Sequence, residues 1–193
     1  MDKLRFGIIG IGNMGSGHAK NLTAGKVPNA CLTAVCDIKE SRRQWARETL
    51  PESVEIFENT DQFFANAKID AVIVAVPHYL HPVLGMESLK NGFHVLVEKP
   101  AGVYTKAVRE MNAAADASNK VYGVMLNQRT NPVYQKVKEL MESGELGQMK
   151  RVVWEITSWY RSQSYYDSGD WRATWGGEGG GVLLNQDPHQ LDL

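Results

Sequence analysis

The sequence lacks the features that mark membrane-spanning and secreted proteins. Its longest apolar run, at residues 71–76, is far shorter than the roughly 18 residues that a membrane-spanning helix needs. The amino-terminal residues contain no apolar core of the kind that signal peptides carry. We therefore expect a cytoplasmic protein.

Cysteine is also scarce, since only Cys31 and Cys36 occur in 193 residues. Their odd spacing on a predicted strand directs the two side chains to opposite faces, which favours neither a disulfide nor a metal site. We interpret both residues as buried thiols and expect no bound metal.

The chain carries no excess of charge of either sign. Its 21 Lys and Arg residues against 22 Asp and Glu residues give a net charge of −1. Such a balance excludes non-specific recruitment to nucleic acid or to an anionic membrane. The 43% hydrophobic and 22% charged residues are typical of a globular protein, which excludes disorder, collagen and coiled coil as the main architecture.

Short apolar runs alternate with helical stretches through residue 126. This alternation is typical of an α/β protein whose parallel sheet is covered by helices on both faces. Helices are predicted at 81–91, with Gly92 as the stop residue, and at 106–118, with Thr105 as the cap. The strands are predicted at 4–9, 31–36, 54–57, 71–76, 94–97 and 121–126.

The pattern changes after residue 126. Asn131 and Pro132 are typical of the start of a helix, which we predict at 133–143 with Gly144 ending it. Side chains that suit one face alternate with polar ones over residues 151–160, which predicts one long strand. The amphipathic pattern at residues 182–193 predicts one helix. A lone strand cannot form a sheet. We therefore expect 127–193 to be an incomplete second domain of a longer two-domain protein.

A glycine motif follows directly on the first predicted strand. Residues 10–15 read Gly-Ile-Gly-Asn-Met-Gly and open a helical stretch. The first glycine permits a tight turn, the second admits a pyrophosphate close to the backbone, and the third allows close helix packing. The helix that follows presents unpaired N–H groups to the phosphates. The motif predicts a dinucleotide-binding loop.

Asp37 stands near the end of the second predicted strand, where such folds place an acidic residue that binds the ribose. Its carboxylate suits the ribose hydroxyls of NAD and repels the 2′-phosphate of NADP. Arg42 and Arg43 leave NADP possible, because either could reach a 2′-phosphate or stack on adenine. A solvated charged helix face is the alternative interpretation of both arginines.

The residues after the later strands are candidates for chemistry, because ligands of open parallel sheets bind at the carboxyl ends of strands. Lys99 lies there between Glu98 and Pro100, and burying its ammonium group without a partner would be costly. A surface salt bridge with Glu98 is the alternative for Lys99. His78 and His81 follow the fourth strand, where polar loop or helix-capping roles are favoured over a catalytic role.

Together with several further segments, these residues resemble one family. The further segments are Pro77 with His81, Glu98-Lys99-Pro100, residues 129–132, residues 143–147, Trp171-Arg172, and Gly179-Gly180-Gly181 followed by His189 and Asp192. They are similar from end to end to the glucose-fructose oxidoreductase, inositol dehydrogenase and rhizopine-catabolism family (Gfo/Idh/MocA). The Glu-Lys-Pro sequence and the glycine-rich stretch before His and Asp are more specific than the glycine loop alone.

The resemblance implies an NAD(P)-binding Rossmann domain, a doubly wound parallel sheet, at residues 1–126. It implies that 127–193 begin a substrate and oligomerisation domain of α+β type with a mostly antiparallel sheet. The implied reaction transfers a hydride between nicotinamide and a ring carbon of a sugar, sugar derivative or cyclitol such as inositol. The implied partners are a small polyol or sugar and further copies of the full-length chain, and neither nucleic acid nor membrane.

The resemblance also implies roles for individual residues. Lys99 transfers the proton and binds the substrate hydroxyl, with His189 as its partner acid or base. Many members carry Asp where this chain has Asn185, which cannot take up a proton but can hydrogen-bond a hydroxyl. If one helix covers both positions, 185 and 189 form an i, i+4 pair on one face. The substrate-binding residues are then Asn185, Trp171 and Arg172. The cofactor-binding residues are Gly10, Gly12, Asn13, Met14, Gly15, Asp37, Pro77, His81, Glu98, Lys99 and Arg129.

Two other classes of function remain open. A relative that uses bound NAD transiently during glycoside cleavage would release an aglycone without net NADH. A non-catalytic sensor of dinucleotide or sugar is the second alternative, and the presence of both Lys99 and His189 argues against it.

Overall fold

The computed structural model describes residues 3–157 and 160–193. The chain separates into two compact units, with the boundary between Met125 and Leu126. The first unit contains a sheet flanked by helices. The described part of the second unit contains short helices and irregular segments.

Six parallel strands form the sheet of the first unit, in the spatial order β3-β2-β1-β4-β5-β6. The strands are β1 (Leu4–Ile9), β2 (Ala30–Cys36), β3 (Glu55–Phe57), β4 (Ala71–Val74), β5 (His94–Val97) and β6 (Tyr122–Val124). The order reverses between β1 and β4, which leaves a crevice at the carboxyl ends of these two strands. The predicted doubly wound α/β fold is confirmed. β4 ends two residues earlier than predicted, and the carbonyl of Val76 bonds to a histidine instead of a strand.

Five helices cover the sheet of the first unit, and they are α1 (Asn13–Thr23), α2 (Glu40–Thr49), α3 (Thr60–Asn66), α4 (Leu80–Lys90) and α5 (Thr105–Ala117). Gly92 follows α4 with φ +83°, as expected of a residue that stops a helix. The N-cap of α5 is Tyr104, and Thr105, which was predicted as the cap, is the first residue of the helix.

Two hydrophobic clusters form the core of the first unit. Alternate side chains of β4 divide between them, because successive strand residues point to opposite faces of a sheet. Val72 and Val74 join the cluster that contains Phe63 and Met111. Ile73 joins the cluster that contains Ile8. Burial on both faces explains why β4 reads as a continuous apolar run.

The second unit begins with a 3₁₀ turn (Asn127–Thr130) and α6 (Pro132–Glu142). As predicted, Asn131 caps α6, and its side chain accepts a hydrogen bond from the backbone N–H of Val133. Among the residues described after α6, four helices of four or five residues follow. They are α7 (Gln163–Tyr166), α8 (Trp175–Glu178), α9 (Val182–Asn185) and α10 (Pro188–Asp192).

The strand predicted at 151–160 is wrong for the residues that the structure describes. Residues 151–157 and 160 form no strand, and Ser158 and Trp159 lie outside the described residues. A strand needs a neighbour for its backbone groups, and the described part of this unit supplies none. Trp154 instead packs against Tyr134 of α6, with ring centroids 5.5 Å apart. The antiparallel sheet implied by the resemblance is likewise not formed by the described residues.

The single helix predicted at 182–193 is also wrong, because the segment forms α9 and α10 with a break at Gln186 and Asp187. Pro188 begins α10, where its missing N–H removes no helical hydrogen bond. Asn185 and His189 lie in different helices, so they do not share one helix face as an i, i+4 pair would. In the described part of the chain, no helix is long and apolar enough to cross a membrane.

A bidentate ion pair joins the amino ends of β1 and β4. Arg5 donates from Nε and Nη2 to the two carboxylate oxygens of Asp70, at 3.0 and 2.6 Å. The backbone N–H of Arg5 also donates to Asp70 Oδ2, at 2.8 Å. The side-chain bonds from Arg5 are the main cause that lowers the pKa of Asp70 to about 2.

The Asp70→Asn variant should lose a pH-dependent contribution to stability. Because the folded pKa of Asp70 is depressed, its contribution is complete above the ordinary carboxyl pKa of about 4. It is lost as the pH falls from there to about 2. We expect the parent to have the higher urea midpoint at neutral pH, and the difference between the two midpoints to narrow as the pH falls below about 4. A gap that stays constant into acid would contradict this assignment.

Candidate functional site

The glycine motif forms a tight turn between β1 and α1. Gly10 has φ +87°, and a Cβ there would lie 2.6 Å from the carbonyl oxygen of Ala75. A Cβ at Gly15 would lie 1.9 Å from the carbonyl oxygen of Gly10. Neither position has room for a side chain. The start of α1 is therefore held close to the ends of β1 and β4.

Gly12 differs from these two glycines, because a Cβ built there would meet no atom of the described residues within 4 Å. It is the N-cap of α1, and the exposed residues Asn13 and Met14 form the first turn. The first N–H groups of a helix have no partner within the helix and favour anions. The fold therefore leaves open the space that a phosphate needs beside Gly12.

Asp37 follows β2 and connects it to the glycine turn. Its Oδ2 accepts from the backbone N–H of Ile11 at 2.9 Å, and its Oδ1 accepts from that of Lys39 at 2.9 Å. A carboxylate has about four lone-pair positions, so each oxygen can accept a further hydrogen bond. The half-buried side chain can therefore receive ribose hydroxyls while the backbone bonds fix its orientation.

Arg43, a candidate for binding a 2′-phosphate, already contacts this segment. Its Nη1 donates to the carbonyl oxygens of Asp37 and Ile38, at 2.8 and 2.9 Å. Its Nη2 lies 2.6 Å from Glu40 Oε2, and 14% of its side chain is exposed. These contacts hold the guanidinium against the protein backbone. They favour a structural role over recognition of a phosphate.

Glu98 is a buried acid at the end of β5. Its Oε1 lies 2.6 Å from Nε2 of His18, which belongs to α1. Its Oε2 accepts from the backbone N–H of Lys99 at 3.2 Å. Lys99 is half-buried, and its peptide bond to Pro100 is cis. The carboxylate of Glu98 therefore connects the helix after the glycine turn to the main chain of Lys99.

His81 lies beneath the same strand ends and is 1% exposed. Its Nδ1 is 2.6 Å from the carbonyl oxygen of Pro100, and its Nε2 is 2.7 Å from that of Val76. Carbonyl oxygens only accept, so the neutral ring donates one of these bonds and the protonated ring donates both. Burial lowers the pKa of His81, which favours the neutral ring. Both ring nitrogens face the backbone around the half-buried Pro77 and Lys99.

Three polar side chains form a buried cluster in the second unit. Asn185 Nδ2 donates to Oε1 of Glu178 at 2.6 Å, and both residues are buried. Nη1 of Arg172 lies 4.0 Å from the same oxygen and donates to the hydroxyl of Tyr165 at 2.7 Å. The guanidinium also lies over the ring of Trp171, 4.7 Å from its centroid. The carboxylate in this cluster therefore belongs to Glu178, which lies within the glycine-rich run at residues 176–181.

Arg129 and His189 are the remaining candidates in the second unit. Arg129 makes a bidentate ion pair with Asp192, with Nε 2.6 Å from Oδ2. Hydrogen bonding to Arg129 lowers the pKa of Asp192. This pair connects the 3₁₀ turn to α10, which also carries the half-buried His189. The head group of Arg129 is thus occupied by a carboxylate of its own unit.

His18 and Glu178 are site residues that the sequence pattern does not predict. His18 is 80 residues from Glu98 in sequence, and no local pattern indicates such a pair. Glu178 did leave a signal, because it is the single acid within a run of glycines. Among the described residues, no group of three or more His, Cys, Asp or Glu side chains is arranged to hold a metal ion.

The first unit thus has the parts that a dinucleotide requires. The open space at Gly12 and the start of α1 suit a pyrophosphate, and Asp37 suits a ribose. All lie at the point where the strand order reverses, which is the usual ligand position in such sheets. The fold and this geometry define a dinucleotide-binding α/β domain.

Comparison with known proteins gives the family. Residues 4–126 match the model described as oxidoreductase family, NAD-binding Rossmann fold. Residues 134–193 match the GFO/IDH/MocA carboxyl-terminal domain. The chain belongs to the GFO/IDH/MocA oxidoreductase family and carries its NAD-binding Rossmann domain. The resemblance drawn from the sequence is confirmed.

Individual relatives include enzymes for cyclitols and for nucleotide sugars. The chain is 33% identical to inositol 2-dehydrogenase of Rubrobacter xylanophilus over 76% of this chain and 42% of that protein. The WlbA dehydrogenase of Chromobacterium violaceum, solved with NADH and UDP-GlcNAcA, has a TM-score of 0.87 and 30% identity over 100% of this chain and 55% of its own. Scyllo-inositol dehydrogenase of Lactobacillus casei, solved with NAD(H) and scyllo-inositol, has a TM-score of 0.71 and 30% identity over 76% of this chain and 43% of its own. The chain therefore spans about half the length of these relatives.

The Gly12→Ala variant should separate folding from dinucleotide binding. The added methyl group meets no atom of the described residues within 4 Å, so we expect the thermal midpoint to stay near that of the parent. The methyl group would occupy the space of the pyrophosphate, so NADH affinity should fall at least tenfold. A tenfold fall corresponds to a loss of about 1.4 kcal/mol of binding free energy.

Gly17→Ala is the matched control, because Gly17 lies inside α1 and its Cβ would also meet no atom of the described residues within 4 Å. It should keep NADH affinity and add up to about 1 kcal/mol of stability. Fluorescence titration with NADH and thermal denaturation measure the two effects. Equal NADH affinity in both variants would contradict a phosphate position at Gly12.

Proposed function

We propose that the chain is part of an NAD-dependent dehydrogenase that acts on a secondary alcohol at a ring carbon of a sugar, sugar derivative or cyclitol. Residues 1–126 bind the dinucleotide, and residues 127–193 belong to a domain that binds the substrate. Family membership supports hydride transfer. Relatives solved with both NAD(H) and a sugar nucleotide or a cyclitol support the class of substrate.

The observation that carries the proposal is the position of Lys99. Lys99 follows β5, at the same carboxyl edge of the sheet as the glycine turn. A surface salt bridge with Glu98 was the alternative for this lysine. Glu98 is buried, and its carboxylate contacts His18 and the backbone N–H of Lys99, so a pair of Glu98 with the lysine would not be a surface salt bridge. This geometry supports the assignment of the Lys99 amine to a reacting group.

Oxidation of an alcohol requires that a hydride leave the carbon and that a proton leave the oxygen. When bound, NAD accepts the hydride at its nicotinamide ring. The neutral amine of Lys99 takes the hydroxyl proton as the carbonyl forms, which is general base catalysis. In the reverse direction the ammonium returns that proton to the carbonyl oxygen. Asp37 holds the ribose, and the N–H groups of Asn13 and Met14 hold the phosphates.

Residues of the second unit are proposed to bind the substrate. Asn185 and Arg172 bind hydroxyl or acidic groups, Trp171 covers an apolar face of the ring, and His189 serves as the partner acid or base. The contact of Asn185 with Glu178 supports this assignment, because it fixes the orientation of the Asn185 amide.

Sugar derivatives are favoured over free cyclitols as substrates. WlbA, solved with UDP-GlcNAcA, aligns with 100% of the chain, including the whole second unit. The inositol dehydrogenase structures align with 76% of it. Since the proposed substrate-binding residues lie in the second unit, similarity across that unit bears most directly on the substrate. Cyclitol oxidation is the second candidate, supported by 33% identity to an inositol dehydrogenase.

A panel of substrates tests the proposal directly. The longest natural form of the protein is mixed with NAD or NADP and with UDP-sugar acids, free sugars or inositols, while NADH absorbance is recorded. We expect net NADH from at least one substrate. Release of an aglycone from glycosides without net NADH would replace the proposal with transient redox hydrolysis. Binding of NADH without any turnover across the panel would favour a sensor.

The Lys99→Ala variant should keep its fold and NADH affinity while losing most turnover. General acid–base catalysis contributes about 10²–10⁴-fold, so kcat should fall by that order. Lys106→Ala is the control, because the Lys106 side chain is 88% exposed and its Nζ lies 3.9 Å from Glu110 Oε1 on the same helix. Turnover by Lys99→Ala equal to that of the control would return Lys99 to a structural role.

The Asp37→Asn variant should lose preference for NAD over NADP. Asn keeps an oxygen that can accept from Ile11 or Lys39, so the turn should persist, but it removes the charge that repels a 2′-phosphate. We expect weaker NAD binding and a smaller ratio of NADP to NAD dissociation constants, measured by calorimetry. A parent protein that binds NADP more tightly than NAD would overturn the argument from Asp37.

A further inference from the structure

His18 and Glu98 are 80 residues apart in sequence and form a close contact, and Glu98 directly precedes Lys99. His18 Nε2 and Glu98 Oε1 are 2.6 Å apart, with 18% and 6% of the two side chains exposed. An ionised carboxylate only accepts hydrogen bonds, so His18 donates through Nε2. Removing a carboxylate from water is costly unless it is hydrogen-bonded.

The other oxygen of Glu98 is equally committed, since Oε2 accepts from the backbone N–H of Lys99 at 3.2 Å. The backbone N–H of Glu98 itself donates to the carbonyl of Val74 in β4, at 2.9 Å. Glu98 therefore bonds to α1, to β4 and to the lysine that follows it. The peptide of Lys99 has a defined orientation relative to the helix that starts at the glycine turn.

His81 restrains the next residue independently, because its Nδ1 contacts the carbonyl of Pro100 at 2.6 Å. The main chain around Lys99 is thus held on its amino side by Glu98 and on its carboxyl side by His81. Loss of one restraint should misplace the lysine without releasing the whole segment.

We propose that His18 and Glu98 are a positioning pair that holds the main chain of Lys99 in register with α1, the helix that begins at the dinucleotide loop. Neither residue exchanges a proton with the substrate in this scheme. The proposal rests on the function proposed above for Lys99. Catalysis depends on sub-ångström placement, and a displacement of about 1 Å can cost about 100-fold in rate.

Three variants of the longest natural protein test the pair. His18→Leu removes the donor and keeps bulk, His18→Gln restores an N–H donor, and Glu98→Met removes both acceptor oxygens while it keeps the length of the side chain. His94→Leu is the matched control, because His94 accepts a backbone bond from Val121 at the opposite end of the same strand. We expect His18→Leu to lower kcat at least tenfold with little change in NADH affinity. His18→Gln should recover part of the loss, and His94→Leu should keep the parent kcat.

A double-mutant cycle separates coupling from two unrelated losses. If the pair acts through one hydrogen bond, His18→Leu combined with Glu98→Met should cost little more than Glu98→Met alone. Additive losses, or parent kcat in both single variants, would overturn the proposal. A loss of kcat in His18→Leu that His18→Gln does not restore would also overturn it.

Hydrogen exchange at the backbone amide of Lys99 provides a readout that does not need turnover. His18→Leu should speed this exchange, whereas His94→Leu should leave it unchanged. If Lys99→Ala retains turnover while exchange responds to His18, the proposed function fails and the pair stands. If Lys99→Ala abolishes turnover while neither kcat nor exchange responds to His18, the pair fails and the proposed function stands.

Discussion

The absence of side-chain volume where β1 turns into α1 is the constraint on which the rest of the first unit depends. Gly10 lies against the carbonyl of Ala75, and Gly15 lies against the carbonyl of Gly10. Any side chain at either position would push α1 away from the sheet. With α1 in place, its start lies at the reversal of strand order, and His18, one turn along, reaches Glu98. A local steric condition therefore determines which residues distant in sequence can meet.

Most of the first unit could be predicted from the sequence, because its signals are local and mutually consistent. The buried strands are continuous apolar runs, and the glycine spacing and Asp37 follow the first two strands at the expected intervals. The termini of β4 and β6 were less accurate. Their last predicted residues are apolar enough for a strand, but the ladders end at Val74 and Val124. Beyond β4, the carbonyl of Val76 bonds to the side chain of His81.

The second unit was harder to predict, for two physical reasons. Alternation at 151–160 indicates a strand only when a partner supplies hydrogen bonds, and in the described residues no such partner is present. The amphipathic pattern at 182–193 suggested one helix, but Pro188 starts a separate one. The contacts of Glu98 with His18 and of Glu178 with Asn185 depend on the folded chain. Periodicity and motif spacing carry no information about such pairs.

The cluster of Arg172, Glu178 and Asn185 bears on how this family can vary. An Asp in place of Asn185 would put a second carboxylate at this point of the cluster. In this fold that Asp would lie beside the carboxylate of Glu178, where the amide now donates at 2.6 Å. Two ionised carboxylates at that separation repel, which favours the binding of a proton by one of them. Acidic residues at the two positions should therefore exclude each other, and a change at one should be accompanied by covariation at the other across the family.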